Sequence, residues 1–212
     1  MKKGIIFDVD GTLWDSSVQV AQSWQVAAEK LLNGPRPITP DMISRNMGKN
    51  MKDFGDALFP DLPPAKRLEV MEACMEYENQ YLEDHPGILY PQVAEVLQQL
   101  SWKYKLFIVS NCQKGYIEVL MRSCNLEEYI TDIECYGNTG LSKADNISMV
   151  IQRNHLDQSF SCRRYCHGRR GSCRCRNPLC PCCLWFFGQV NGAEAVIREF
   201  GELLQLSKNA FR

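Results

Sequence analysis

The sequence predicts an α/β protein: a parallel sheet flanked by helices, with an all-helical block inserted after the first strand. Three observations predict it. Ile5–Phe7 and Lys105–Val109 are short, almost wholly apolar runs, as strands covered on both faces must be. After Pro86-Gly87, strand and helix patterns alternate, which implies parallel strands joined by helical crossovers. Between these regions, residues 15–83 contain no convincing strand.

The elements follow from spacing and punctuation. Ser16 or Ser17 caps a helix whose apolar positions, Val20, Ala21, Trp24, Ala27, Ala28 and Leu31, keep helical spacing up to Asn33-Gly34-Pro35. Thr39 caps the next helix, with Pro40 in its first turn, ending near Gly48. Further helices are predicted over 53–58 and 65–82, separated by a Pro-rich turn at 59–64. Val93, Val96, Leu97 and Leu100 mark another helix, and Tyr116–Cys124 a further one. A short strand at Thr131–Tyr136 and a helix at Lys143–Arg153 follow, and a final helix is predicted over 193–206. The discontinuous core would comprise residues 1–14 and 84–212, and the helical cap residues 15–83.

Composition narrows the partners. The chain has 212 residues, and 24 basic side chains nearly balance 25 acidic ones. Global charge therefore favours neither nucleic acid nor a membrane surface. No apolar run approaches the roughly 20 residues that span a bilayer. Met1–Gly4 leads straight into the first strand without a separate apolar segment, so a cytoplasmic protein without a secretory leader is expected. Oligomeric state leaves no mark on the sequence.

The decade Gly4–Leu13 carries the chemistry. Its apolar run ends in Asp8-Val9-Asp10-Gly11-Thr12. Two carboxylates two residues apart at the end of a buried strand are costly to place, and such pairs serve metals or phosphoryl transfer. In parallel sheets, ligands bind beyond the carboxyl ends of the strands. Ser110-Asn111 ends the second strand, and Lys143 begins a helix. Singly, Asp-Gly is a common turn, Ser110 or Asn111 a helix cap and Lys143 a solvated lysine. Together they form a phosphate site: a carboxylate nucleophile, a hydroxyl and donors for phosphoryl oxygens, and a lysine for developing charge. A hard cation such as Mg²⁺ would sit between carboxylates and phosphate.

On these motifs, in this order, the chain resembles the haloacid dehalogenase-like hydrolases. The similarity is to the branch with a helical cap on a Rossmann-like core, typified by phosphoglycolate phosphatases and β-phosphoglucomutases. It covers about residues 1 to 158 and resumes near Gly188. The resemblance implies hydrolysis of a small phosphorylated metabolite, with Asp8 as nucleophile and Asp10 as acid and then base. Gly11, Thr12, Ser110, Asn111 and Lys143 would bind the phosphoryl group. Mg²⁺ would be held by the Asp8 carboxylate, the Asp10 main-chain carbonyl and a carboxylate of a fourth motif. Arg45 and Lys49, in the cap near Asn46 and Gly48, would recognise a second anionic group or else be surface charge. A phosphomutase and a non-catalytic remnant are the alternatives.

The fourth motif is the departure. The family places an apolar strand ending in Gly-Asp after the Lys143 helix, yet no Asp or Glu occurs from Gln158 to Ala193. Seven of the eleven cysteines lie between Cys162 and Cys183, among six arginines from Arg163 to Arg176. A zinc-binding insert would need paired Cys-x-x-Cys knuckles, which this spacing does not supply. A shifted reading frame fits better. Read one base on with permitted codons, the stretch from Cys162 becomes Val-Gly-Asp-Thr-Ala-Met-Asp. As written, residues 159–187 are expected to be irregular and the sheet to lose a strand, because arginines would leave buried charge.

Overall fold

The structure, a computed structural model, describes the backbone of residues 1–166, 183–188 and 195–210, with side chains described up to residue 163 and again over 197–210. In order, the core begins with β1 (Lys3–Phe7) and β2 (Trp14–Asp15). The helical block is α1 (Ser17–Leu32), α2 (Pro40–Asn46), α3 (Met51–Leu58) and α4 (Pro64–Asp84). The chain returns through β3 (Ile88–Leu89), α5 (Val93–Ser101), β4 (Lys105–Ser110), α6 (Tyr116–Ser123), β5 (Asp132–Cys135), α7 (Tyr136–Thr139) and α8 (Lys143–Arg153). It closes with β6 (Gln158–Cys166), β7 (Cys183–Gly188), β8 (Ala195–Ile197) and α9 (Leu203–Ala210).

Among the described residues the main sheet has the order β5-β4-β1-β6-β7-β8. The first four strands run parallel, while β7 and β8 are antiparallel additions. Alternation along the strands divides the core. Ile5 and Phe7, with Leu106 and Ile108, face one layer. Ile6, Phe107 and Val109 face the other, against Val150 of α8. All of these side chains are buried, so truncating one would cost about 2–5 kcal/mol.

The helical block packs on its own aromatic centre. Trp24 of α1 meets Phe54 edge-on at 5.0 Å and stacks on Phe59 at 6.3 Å. Thr39 caps α2 by accepting from the Met42 N–H at 3.2 Å, as predicted. Asn50 does the same for α3, accepting from Asp53 at 2.9 Å. The chain enters and leaves the block through one small antiparallel ladder, in which Trp14 pairs with Leu89 and Asp15 with Ile88. Gly87 lies against the Trp14 ring, where a Cβ would come within 2.7 Å of it. Only glycine fits there without displacing the tryptophan.

Two expectations are corrected. First, the sheet does not lose its strand after α8. Gln158–Cys162 runs parallel beside β1, with Lys3 opposite Gln158 and Phe7 opposite Cys162. The ladder is made by backbone groups, and the inward positions there are Phe160 and Cys162, at 4% and 1% exposure. Arg163 comes after the last residue paired with β1 and is exposed, so the anticipated buried charge does not arise there. Residues 183–188 are also strand, and residues 167–182 lie outside the described residues. Second, the final helix begins at Leu203 rather than near 193. Val196 and Ile197 are β-branched and pair with β7, while Gly201 disfavours an earlier start.

Candidate active site

The site lies where the sheet's carboxyl ends meet the helical block. β1 delivers Asp8 and Asp10 just beyond its last residue. Asp8 is held by its own backbone, whose N–H donates to the Cys162 carbonyl at 3.1 Å. Its Oδ1 accepts from the Val9 N–H at 2.9 Å. Lys143 Nζ lies 2.5 Å from the same oxygen. Lys143 is the first residue of α8, whose capping residue Ser142 accepts from the Asp145 N–H at 3.2 Å. A cation is disfavoured at a helix's positive end. The Asp8 carboxylate offsets that penalty and directs the lysine into the site.

Asp10 is held differently. Its Oδ1 accepts from Tyr116 Oη at 2.6 Å, Ser16 Oγ at 3.2 Å and Trp14 Nε1 at 3.2 Å. Burial pushes its carboxyl up to about 6, against the lowering effect of the Tyr116 hydroxyl and with help from the Asp8 charge. Burial likewise holds the Tyr116 phenol well above its ordinary range, with Asp10 reinforcing it. Tyr116 therefore keeps its proton and donates a hydrogen bond to Asp10 throughout the neutral range. Ser16, expected as a helix cap, makes no capping bond and directs its hydroxyl to Asp10 and Tyr116 instead. Gly11 turns the chain with φ +71°. The next residue, Thr12, is buried, and its N–H donates to the Val9 carbonyl at 3.0 Å. Gly11 and Thr12 thus build the loop that presents the two aspartates.

A cavity of about 60 Å³ separates these groups from the helical block. Asp8, Asp10, Ser110 and Asn111 line its core side. Asn111 also reaches across, donating from Nδ2 to the Gly48 carbonyl at 3.0 Å. Lys49 lines the cavity, with Nζ bonded to Asn46 Oδ1 at 2.8 Å. Arg45 does not line it and pairs with Asp41 at 2.5 Å. The structure thus brings together the two aspartates, Ser110, Asn111, Lys143 and Lys49, and leaves Arg45 on the surface of α2.

Sequence reasoning missed several contributors. Tyr116, Ser16 and Trp14 are the Asp10 donors. Glu78 of α4 is 4% exposed and lines the cavity. One signal for it was available: Met71, Cys74 and Leu82 mark the buried stripe of α4, and Glu78 is the lone acid on that stripe.

For a metal, the described residues offer hard oxygen donors at Asp8 and at the Asp10 main chain. No cluster of three His, Cys, Asp or Glu side chains occurs among the described residues. The part of β6 that pairs with β1 ends at Cys162, beside Asp8, and the sequence continues Arg163-Arg164 where the family's Gly-Asp would bring a third carboxylate. Mg²⁺ commonly uses one or two protein carboxylates and completes its shell with phosphate and water, so the donor set fits in reduced form.

A largely parallel sheet with paired aspartates beyond its carboxyl edge, under a helical block, defines the class as a capped, Rossmann-like α/β protein. The sequence description of the haloacid dehalogenase-like hydrolases matches residues 5–161, and the chain belongs to that family. It is 26% identical over 152 residues to a phosphoglycolate phosphatase of Aquifex aeolicus, covering 70% of this chain and 67% of that one. Solved structures share the fold. A haloacid dehalogenase-like family hydrolase of Streptococcus pneumoniae superposes with a TM-score of 0.61 at 23% identity, over 74% of this chain and 73% of its own. A protein of Haemophilus somnus described as a predicted phosphoglycolate phosphatase gives 0.57 at 19%, over 73% and 72%. No helix among the described residues is long and apolar enough to cross a membrane.

Proposed function

We propose that the chain is a Mg²⁺-dependent phosphatase of the phosphoglycolate phosphatase type, acting on a small phosphate monoester through an aspartyl-phosphate on Asp8. The observation that carries this is the asymmetry of the two carboxyls. Asp8 is paired with Lys143 at 2.5 Å, while Asp10 is buried, accepts from Tyr116, Ser16 and Trp14, and is pushed up to about 6. Two acids with environments this different suit two roles, nucleophile and proton carrier.

In this reading Asp8 Oδ attacks phosphorus as the ester oxygen departs. Asp10, held in place by Tyr116, Ser16 and Trp14, gives its proton to that oxygen. Asp10 then takes a proton from the water that hydrolyses the aspartyl-phosphate. Ser110, Asn111 and Lys143, with the loop at Gly11 and Thr12, bind the phosphoryl oxygens. The Asp8 carboxylate and Asp10 carbonyl would hold Mg²⁺, which neutralises charge on the phosphoryl group when bound. Residues 1–14 and 84–212 form the core, and residues 15–83 the cap that excludes water. Lys49 lies at the cavity edge and is the cap cation positioned to meet substrate.

A panel of phosphate monoesters, assayed for phosphate release with and without Mg²⁺, tests the reading. Release must require Mg²⁺ and must vanish in Asp8→Asn. Trapped aspartyl-phosphate should appear as added mass on the peptide containing Asp8. A remnant without turnover is the second reading, favoured by Arg164 at the expected place of the third carboxylate. It predicts neither Mg²⁺ affinity nor phosphate release.

A further inference from the structure

We propose that a second cleft, between α4 and the core, receives the alcohol end of a phosphate monoester whose leaving group is an extended, uncharged aliphatic chain. This rests on the phosphatase reading for the reacting end and goes beyond it in substrate class. The cleft adds room that a small monoester meeting Lys49 does not use.

The two spaces differ in size and share a partition. The catalytic cavity holds about 60 Å³ and the cleft about 650 Å³. Only the second falls in the range of roughly 300–1,000 Å³ that encloses a whole small molecule. Met51 and Gln113 line both. Gln113 is held by α4: its Nε2 donates to Asn79 Oδ1 at 3.2 Å, and its side chain also hydrogen-bonds the buried Glu78, which accepts from Trp24 Nε1. Met51 is half-buried at the start of α3, and its unbranched thioether chain can swing aside for a ligand. The edge at Gly48 is closed differently, by the Asn111 bond to its carbonyl. A leaving group too long for the catalytic cavity therefore has its room past Met51.

The lining of the cleft selects the chemistry. It follows α4 from Pro64 to Asn79, about 22 Å of helix, so it suits an elongated ligand. Leu68, Met71 and Met75 repeat along it at helical spacing. Leu68 is 58% exposed and Met75 half-buried, so a chain laid on them removes apolar surface from water. The charges of the lining balance: Lys52, Arg67 and Lys114 against Asp56, Glu72 and Glu76. Lys52 and Arg67 both pair with Asp56, and Arg67 also donates to the Phe59 and Leu62 carbonyls. An ionic chain would find no net charge to hold it there, whereas an aliphatic one gains with every methylene buried.

The test uses methylphosphonate, butylphosphonate and octylphosphonate, which cannot be hydrolysed and differ only in chain length, with 1-octanol as the chain alone. Their binding to the full chain with Mg²⁺ is measured by calorimetry, for wild type, Leu68→Glu and Met75→Glu, each checked by thermal melting. Wild type should bind octylphosphonate at least about tenfold more tightly than methylphosphonate, with butylphosphonate between, since two fully buried methylenes supply that factor. Each variant should cut the octyl-to-methyl ratio by at least about threefold, the worth of one buried methylene. Equal affinities for methyl- and octylphosphonate, a ratio unmoved by both variants, octanol bound as tightly as octylphosphonate, or no binding of any ligand would overturn the proposal. A chain-length preference without phosphate release from octyl phosphate would leave the cleft's role standing and sink the phosphatase reading. Phosphate release from small monoesters with no such preference would do the reverse.

Discussion

Replacing Glu78 by glutamine should make the protein more stable at neutral pH. A carboxyl whose pKa rises on folding, from 4.5 to about 8, keeps in the native state a proton that the unfolded chain has already released. Stability therefore falls as pH climbs through that window. From pH 4.5 to 7 the loss is at most about 3 kcal/mol, at roughly 1.4 kcal/mol per pH unit. Glutamine keeps an acceptor for Trp24 Nε1 and removes the ionisation. Wild type and variant should thus have similar stability near pH 5 and diverge as pH rises. At pH 7 the variant should melt higher by roughly 6–12 °C, from about 2–4 °C per kcal/mol in a chain of this size. Urea denaturation at half-unit intervals from pH 5 to 8, without divalent cations, gives the curve directly. Parallel curves for the two proteins across that range would refute the burial argument.

Three further outcomes follow from other contacts. Arg153 of α8 bonds Asp132 through Nε at 2.7 Å and Nη2 at 2.8 Å, and Glu134 through Nη1 at 2.6 Å. Arg153→Met should cost about 2–3 kcal/mol, less than a fully buried broken pair because Arg153 is itself 38% exposed. Burial opposes ionisation of Asp132 and Glu134, but Arg153 leads the groups that hold both below their ordinary values of 3.8 and 4.5. This contribution should be complete above about pH 5 and fade as pH falls through the lowered values, so chemical denaturation of the two proteins should converge in acid. Gly87→Ala should cost about 1–3 kcal/mol by pushing on Trp14, seen as a lower urea midpoint and altered tryptophan fluorescence. Replacing Cys162–Phe186 by its one-base-shifted reading, which begins Val-Gly-Asp, should raise Mg²⁺-dependent turnover by at least about tenfold; an unchanged rate would remove the case for a missing carboxylate.

Much of this architecture could be read from the chain because its signals were local. The apolar runs of β1 and β4, the Thr39 cap and the Ser142-Lys143 helix start each depend on a few adjacent residues. Asp8 and Lys143 could be assigned to one site in advance because both belong to one resemblance, whereas their direct ion pair is seen only in the structure. The Asp10 donors could not. Tyr116 is 106 residues away in sequence, and nothing in its own helix pattern marks its hydroxyl as a partner of that carboxylate. β6 was misjudged for a different reason. Its composition argued against a strand, yet pairing with β1 needs only backbone groups and two inward side chains, Phe160 and Cys162. The end helix was drawn too long because Ala193–Ile197 has helical spacing, while the partner strand β7 offers β-branched residues a better place.

The small ladder of Trp14–Asp15 with Ile88–Leu89 bears on how such a molecule diversifies. The two ends of a long helical block are bonded neighbours, so they present the sheet with the same short gap whatever lies between them. The entropic cost of closing a loop grows only logarithmically with its length. A block of different size or shape would therefore disturb the sheet little. Asp8, Asp10, Ser110 and Lys143 would remain with the strands and α8, while the cavity wall carrying Glu78 would be exchanged whole. Grafting another helical block between Asp15 and Ile88 is thus a route to a new cavity wall over an unchanged set of strand-borne groups.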